Sequence, residues 1–152
     1  MKYLKLALLV VLTVVVSIGF ADSLKDVSKS LATKYKAMDA AYRKGDIGPL
    51  ENMFDEHCKF KMKGEGQSLT KPLFLSGTKA LFKMRSIKKC ETKLLSVTKT
   101  KDGGYLATSH WSGETVESKS GRPMKGTDQT LYDTWKKTKE GWVIMDRLIE
   151  QK

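Results

Sequence analysis

The chain has 152 residues, with 28 Lys and Arg against 17 Asp and Glu for a formal charge of +11. That length suits one domain with a true core, and two cysteines can form one bridge at most, which is not a disulfide framework. The basic surplus raises anionic polymers as partners, but lysines are scattered along every segment and aromatics occupy apolar positions, so no nucleic-acid groove is expected.

The first 21 residues read as a secretory signal. Lys2 and Lys5 give a positive start, residues 6–16 are apolar apart from Thr13, and Gly19 and Ala21 put small side chains ahead of Asp22. The apolar run is shorter than the ~20 residues that span a bilayer. The expectation is therefore cleavage before Asp22. That leaves a secreted or periplasmic domain at 22–152 with no membrane span after signal removal.

Ser23 is a good N-cap with Asp26 three residues on. Leu24, Val27, Leu31, Tyr35, Met38 and Tyr42 follow at helical spacing, so the pattern predicts one amphipathic helix over 23–44, ended by Gly45. A short helix is expected over 47–54 with Pro49 in its first turn. Cys58, Phe60 and Met62 then alternate with lysines as a half-buried strand. Pro72 makes 67–75 a loop or edge strand. Ser76 or Thr78 caps a third helix carrying Ala80, Leu81, Phe82, Met84 and Ile87.

Four long strands are expected next, over 91–100, 105–119, 125–137 and 142–150, separated by Gly-containing turns. A strand of twelve residues at ~3.3 Å each outreaches the first helix at ~1.5 Å per residue. The sheet must therefore curl, with Gly113 and Gly126 as bending points. The architecture read from the chain is α+β: a cone in which N-terminal helices pack in a strongly curved antiparallel sheet, with a cavity between them.

Several segments carry a family resemblance. The helix end Tyr42-Arg43-Lys44-Gly45-Asp46, the stretch Leu50-Glu51-Asn52-Met53-Phe54, the strand from Cys58 to Met62, and the ending Asp133-Thr134-Trp135-Lys136 with Gly141-Trp142-Val143-Ile144 resemble nuclear transport factor 2-like domains. That group includes ketosteroid isomerases, SnoaL-type polyketide cyclases and dehydratases. The resemblance implies the cone fold and commonly a homodimer paired through the outer sheet face. It does not imply isomerase chemistry. The place of the isomerases' oxyanion-binding tyrosine falls at Met38, and the place of their catalytic aspartate falls at Met62 or Lys61.

Candidate site residues come from strand phase. By period two, Trp142, Ile144, Asp146 and Leu148 share a face of the last strand, which puts the Asp146 carboxylate inside, as a pocket residue or as half of a buried ion pair. Asp133 is the second carboxylate candidate and Asp128, on the opposite face of that strand, the third. Tyr35 and Trp111 are aromatic candidates for the pocket wall, with core packing as the alternative. His110 alternates with Trp111, so one of the two faces the cavity and the other faces out; His57, beside Asp55 and Glu56, reads as solvated. The histidines fit no metal spacing, so neither metal nor cofactor is expected. Cys58 and Cys90 are a possible disulfide in an oxidising compartment, or two small buried core residues.

These features give a function reading: an exported domain that binds a small, partly apolar molecule in its cone. One alternative is a cyclase- or dehydratase-type enzyme that uses Asp146 with a tyrosine or His110. The other is a protein-interaction module whose cone is filled by side chains.

Overall fold

In the computed structural model, which describes residues 22–152, Ser23 caps the first helix as its sequence requires. The Asp26 amide donates to Ser23 Oγ at 3.2 Å and opens α1, Leu24–Lys44. Gly45 closes it with φ 64°, a left-handed conformation that glycine adopts without strain. The expected signal segment, 1–21, lies outside the described residues. α1 buries Val27, Leu31, Tyr35 and Met38 of the expected stripe, with Ala41 beside them, while Tyr42 is half-buried and Leu24 at the helix start is exposed. Asp46 caps α2, Ile47–Met53, and the chain passes directly into β1, Phe54–Met62.

β2 is only Ser68–Thr70, and α3 then runs Lys71–Met84. The third helix thus starts several residues before Ser76. Of the segment expected as loop or edge strand, Ser68–Thr70 is an edge strand. Pro72, however, stands in the first turn of α3, where its missing N–H costs no hydrogen bond, and opens a helix. Thr78 is inside that helix and donates to the Phe74 carbonyl at 2.9 Å instead of capping. The remaining elements are β3 (Arg85–Lys99), β4 (Tyr105–Glu117), β5 (Thr127–Thr138) and β6 (Gly141–Gln151).

The six strands form one sheet in the order β2-β1-β6-β5-β4-β3. All neighbours are antiparallel except β1 and β6, which run parallel. Bulges interrupt β3 near Lys88 and Leu95, and β6 at Met145 opposite Thr134 and Trp135. Each adds a residue to one strand, sharpening the twist and curling the sheet into the cone.

The core fills the narrow part of the cone, where Leu31, Tyr35 and Leu50 from the helices meet Phe54, Cys58, Ala107, Trp135 and Ile144 from the sheet. α3 closes one side by stacking Phe74 on Phe60 at 3.8 Å between ring centres. On the other side Asp39 ties α1 to the sheet's edge strand. Its carboxylate accepts from the Thr92 amide at 2.7 Å and the Thr92 hydroxyl at 2.6 Å. An edge amide that would otherwise face solvent is thereby satisfied.

Cys58 and Cys90 are both buried and unbridged. β1 and β3 are separated in the sheet by β6, β5 and β4, so the disulfide considered from the sequence does not form. Both are small core side chains. Burial pushes the Cys58 thiol up to about 12 and the Cys90 thiol up to about 11. No described helix is long and apolar enough to cross a membrane.

Candidate functional site

The bulge at Met145 decides which charged residue of the last strand enters the cone. Up to Ile144 the strand keeps the expected phase, with Trp142 and Ile144 buried. Trp135 pairs with Ile144 but the next partner, Thr134, pairs with Asp146, so one residue is inserted and the phase inverts. Asp146 therefore lies on the outer face, exposed, opposite Lys59 of β1. Arg147 turns inward in its place and is 3% exposed. The expectation of an inward Asp146 is overturned, and the buried charge is a cation.

Arg147 is held by Asp133, which is wholly buried. Nε reaches Asp133 Oδ1 and Nη2 reaches Oδ2, each at 2.7 Å, in a two-point fork. Tyr35 donates its hydroxyl to the same Oδ2 at 2.7 Å and accepts from Trp135 Nε1 at 3.1 Å. Nη2 also approaches Met38 Sδ at 3.5 Å, and the guanidinium carbon lies 5.2 Å from the centre of the Phe54 ring. Burial by itself would lower the Arg147 pKa, but the Asp133 carboxylate holds it above the ordinary arginine value. Burial, reinforced by Asp133, likewise raises the Tyr35 hydroxyl, which stays protonated as a donor.

Asp133 and Tyr35, both sequence candidates, thus belong to a closed network behind the cavity wall. Arg147 is where the network reaches the cavity. Its Nη1 donates to no protein acceptor, and the residue forms part of the wall.

That cavity measures about 290 Å³ and lies between α1, α3 and the inner sheet face. Its apolar wall includes Met38, Phe74, Leu81, Leu131 and Ile149. Trp111 lines it too, as the sequence allowed, and its ring lies against Gly113: a Cβ at that glycine would come within 2.6 Å of the indole. Trp111 Nε1 and Thr115 Oγ1 are buried without a hydrogen-bond partner, and both residues line the cavity. Arg147 and Arg85 are the charged residues among the described ones that line it.

His110 takes the other face of β4 and pairs with Asp128 of β5 outside the cone. The enzyme alternative that joined Asp146 to His110 in one pocket is therefore not assembled. His57 is exposed at the start of β1. Among the described residues no cluster of three or more His, Cys, Asp or Glu is placed to hold a metal ion.

No protein-family model matches the sequence, and neither does any curated protein. Solved structures do match in shape. A nuclear transport factor 2-like protein of unknown function from Rhodospirillum rubrum superposes with a TM-score of 0.65 at 17% identity, over 80% of this chain and 98% of that one. The fold is that of nuclear transport factor 2-like proteins. A ketosteroid isomerase-like protein from Erwinia carotovora matches at a TM-score of 0.65 and 12% identity, over 81% of this chain and 94% of the other. A putative aromatic ring hydroxylase from Novosphingobium aromaticivorans gives 0.67 and 16%, over 86% and 92%. At these identities the likeness fixes the nuclear transport factor 2-like cone and leaves chemistry to the residues in it.

Proposed function

We propose that the protein binds a small, partly apolar molecule in the cone cavity, with a neutral acceptor oxygen seated against Arg147. The observation that carries this reading is the pairing of an apolar-walled cavity of about 290 Å³ with an almost wholly buried guanidinium whose Nη1 has no protein partner. Nη1 opens to the cavity, and on the same wall Trp111 Nε1 and Thr115 Oγ1 are buried without a partner, which is costly; a ligand carbonyl or hydroxyl supplies the missing acceptor. The Arg147 charge is already balanced by Asp133. A second anion there would leave one buried charge unbalanced at a cost of several kcal/mol, so the deep end suits a neutral oxygen. The volume lies near the lower end of ligand pockets, about 300–1,000 Å³, and favours a ligand smaller than a sterol.

The fold neighbours support a pocket use, since one is named for likeness to an isomerase of ketosteroids and another as a putative aromatic ring hydroxylase. Asp133 gives little support to acid–base catalysis, because its oxygens already accept from Arg147 and Tyr35. Calorimetric titration with medium-chain and aryl ketones tests the reading. Binding should be lost in Leu81→Trp, which fills the cavity from α3, while the circular dichroism spectrum stays unchanged. Ketone binding that survives Leu81→Trp would place the ligand elsewhere.

Two expectations about context accompany this function. Export rests on the charged start and Ala21 before Asp22, and N-terminal sequencing of secreted material should begin at Asp22. Self-association through the outer sheet face rests on half-buried Tyr132 and Leu148 there, paired across β5 and β6. Sedimentation should then show a dimer.

A further inference from the structure

Strand phase orders the cavity by depth. Arg147, Ile149 and Gln151 alternate along the inner face of β6, which spans about 13 Å at ~3.3 Å per residue. Leu131 pairs with Ile149 at the middle level, and Gln129 with Gln151 above it. At this end four strand ends meet: β3 begins at Arg85, β4 is two residues from its end at Thr115, β5 begins at Thr127, and β6 finishes at Gln151. All four residues line the cavity. The floor is a neutralised ion pair, the middle is apolar, and the rim is polar with one charged side chain, Arg85.

Arg85 differs from Arg147 in its balance. It is half-buried and makes no ion pair or side-chain hydrogen bond among the described residues. The acidic residue facing it across the ladder is Glu117 of β4, whose carboxylate accepts the Ser120 hydroxyl at the following turn. No carboxylate lines the cavity among the described residues.

We infer that the ligand is an amphiphilic organic acid, bound with its carboxylate at Arg85 on the rim and its apolar body, ending in a neutral oxygen, directed down to Arg147. This rests on the cavity reading above and adds the anion and its orientation. Partial exposure at the rim lets a carboxylate keep some water while gaining a charge-assisted bond, which the buried floor does not. The body lies along the inner face of β6, which rises about 13 Å from Arg147 to Gln151.

Three probes distinguish the parts: a medium-chain ω-oxo acid, its methyl ester and a matching neutral ketone, each titrated calorimetrically into the full domain. The acid should bind about tenfold more tightly than its ester, the size of one charge-assisted hydrogen bond. Arg85→Gln should abolish that difference, Arg85→Lys should restore part of it, and added salt should narrow it. Equal affinity for acid and ester in the wild type, with the ketone also bound, would overturn the anion assignment and leave the cavity function standing. Failure of all three probes to bind would overturn both. An acid preference unchanged in Arg85→Gln would remove Arg85 from the site.

Discussion

Asp133 and Arg147 face each other across β5 and β6 through two 2.7 Å bonds, and neither side chain is more than 3% exposed. A buried pair of this kind is weak evidence for net stability, yet losing one member leaves the other charged and alone. Arg147→Met or Asp133→Asn should each cost about 3–5 kcal/mol in denaturant unfolding. The double variant Asp133→Leu with Arg147→Met should recover most of that loss. Tyr35→Phe, which removes one donor to Asp133 and the acceptor of Trp135 Nε1, should cost about 1–3 kcal/mol.

Asp146 gives the complementary expectation. On the outer face it is exposed, and Asp146→Asn should shift stability by no more than about 0.5 kcal/mol and leave ligand affinity unchanged. A loss of affinity would mean that the strand keeps its alternation through Met145.

Gly113→Ala should reshape the cavity more than it disturbs the sheet. The added methyl would meet the Trp111 ring at 2.6 Å, so the indole must swing away, into the space the ligand uses. A stability cost of about 1–3 kcal/mol is expected for such overpacking, together with weaker ketone binding by calorimetry.

Alkaline pH should destabilise the fold. The thiols of Cys58 and Cys90, ordinarily 9.0, are pushed by burial to about 12 and about 11. The folded state therefore keeps protons that the unfolded chain releases. This contribution is fully present below pH 9 and is lost as pH rises through the folded values. Melting temperature should fall progressively above pH 9, and replacing both cysteines by Ala should flatten that slope. Both thiols should also resist iodoacetamide at pH 8 until the protein is unfolded, because the reactive thiolate is scarce and shielded.

How much of this was legible in the sequence depended on range. The stripe from Val27 to Tyr42 announced α1 because its period is a property of one segment. Asp133 was placed inward because period two holds through that part of β5, whereas alternation along β4 left open which of His110 and Trp111 faces the cavity. Asp146 was misplaced and Arg147 missed for one shared reason: the extra residue at Met145 is set by how β5 and β6 pair, and nothing in Trp142 to Leu148 signals a bulge. Asp39 was missed because its partner, Thr92, is 53 positions away. Its only local signal was a carboxylate one residue after Met38 on the buried stripe. The cysteine separation depended on strand order, which two residue positions do not encode. The dipeptide Lys71-Pro72 could have been read as a helix start, since proline is well placed in a first turn.

The parallel pairing of β1 with β6 has a kinetic consequence. The first long strand to leave the ribosome hydrogen-bonds to the last one, so Phe54 and Phe60 have no completed sheet to pack in until Gly141–Gln151 has been made. Closing so long a loop before any reward is gained slows folding. The two halves of the sheet consequently join only once β6 has been made, and a truncation before residue 141 removes the strand that joins them.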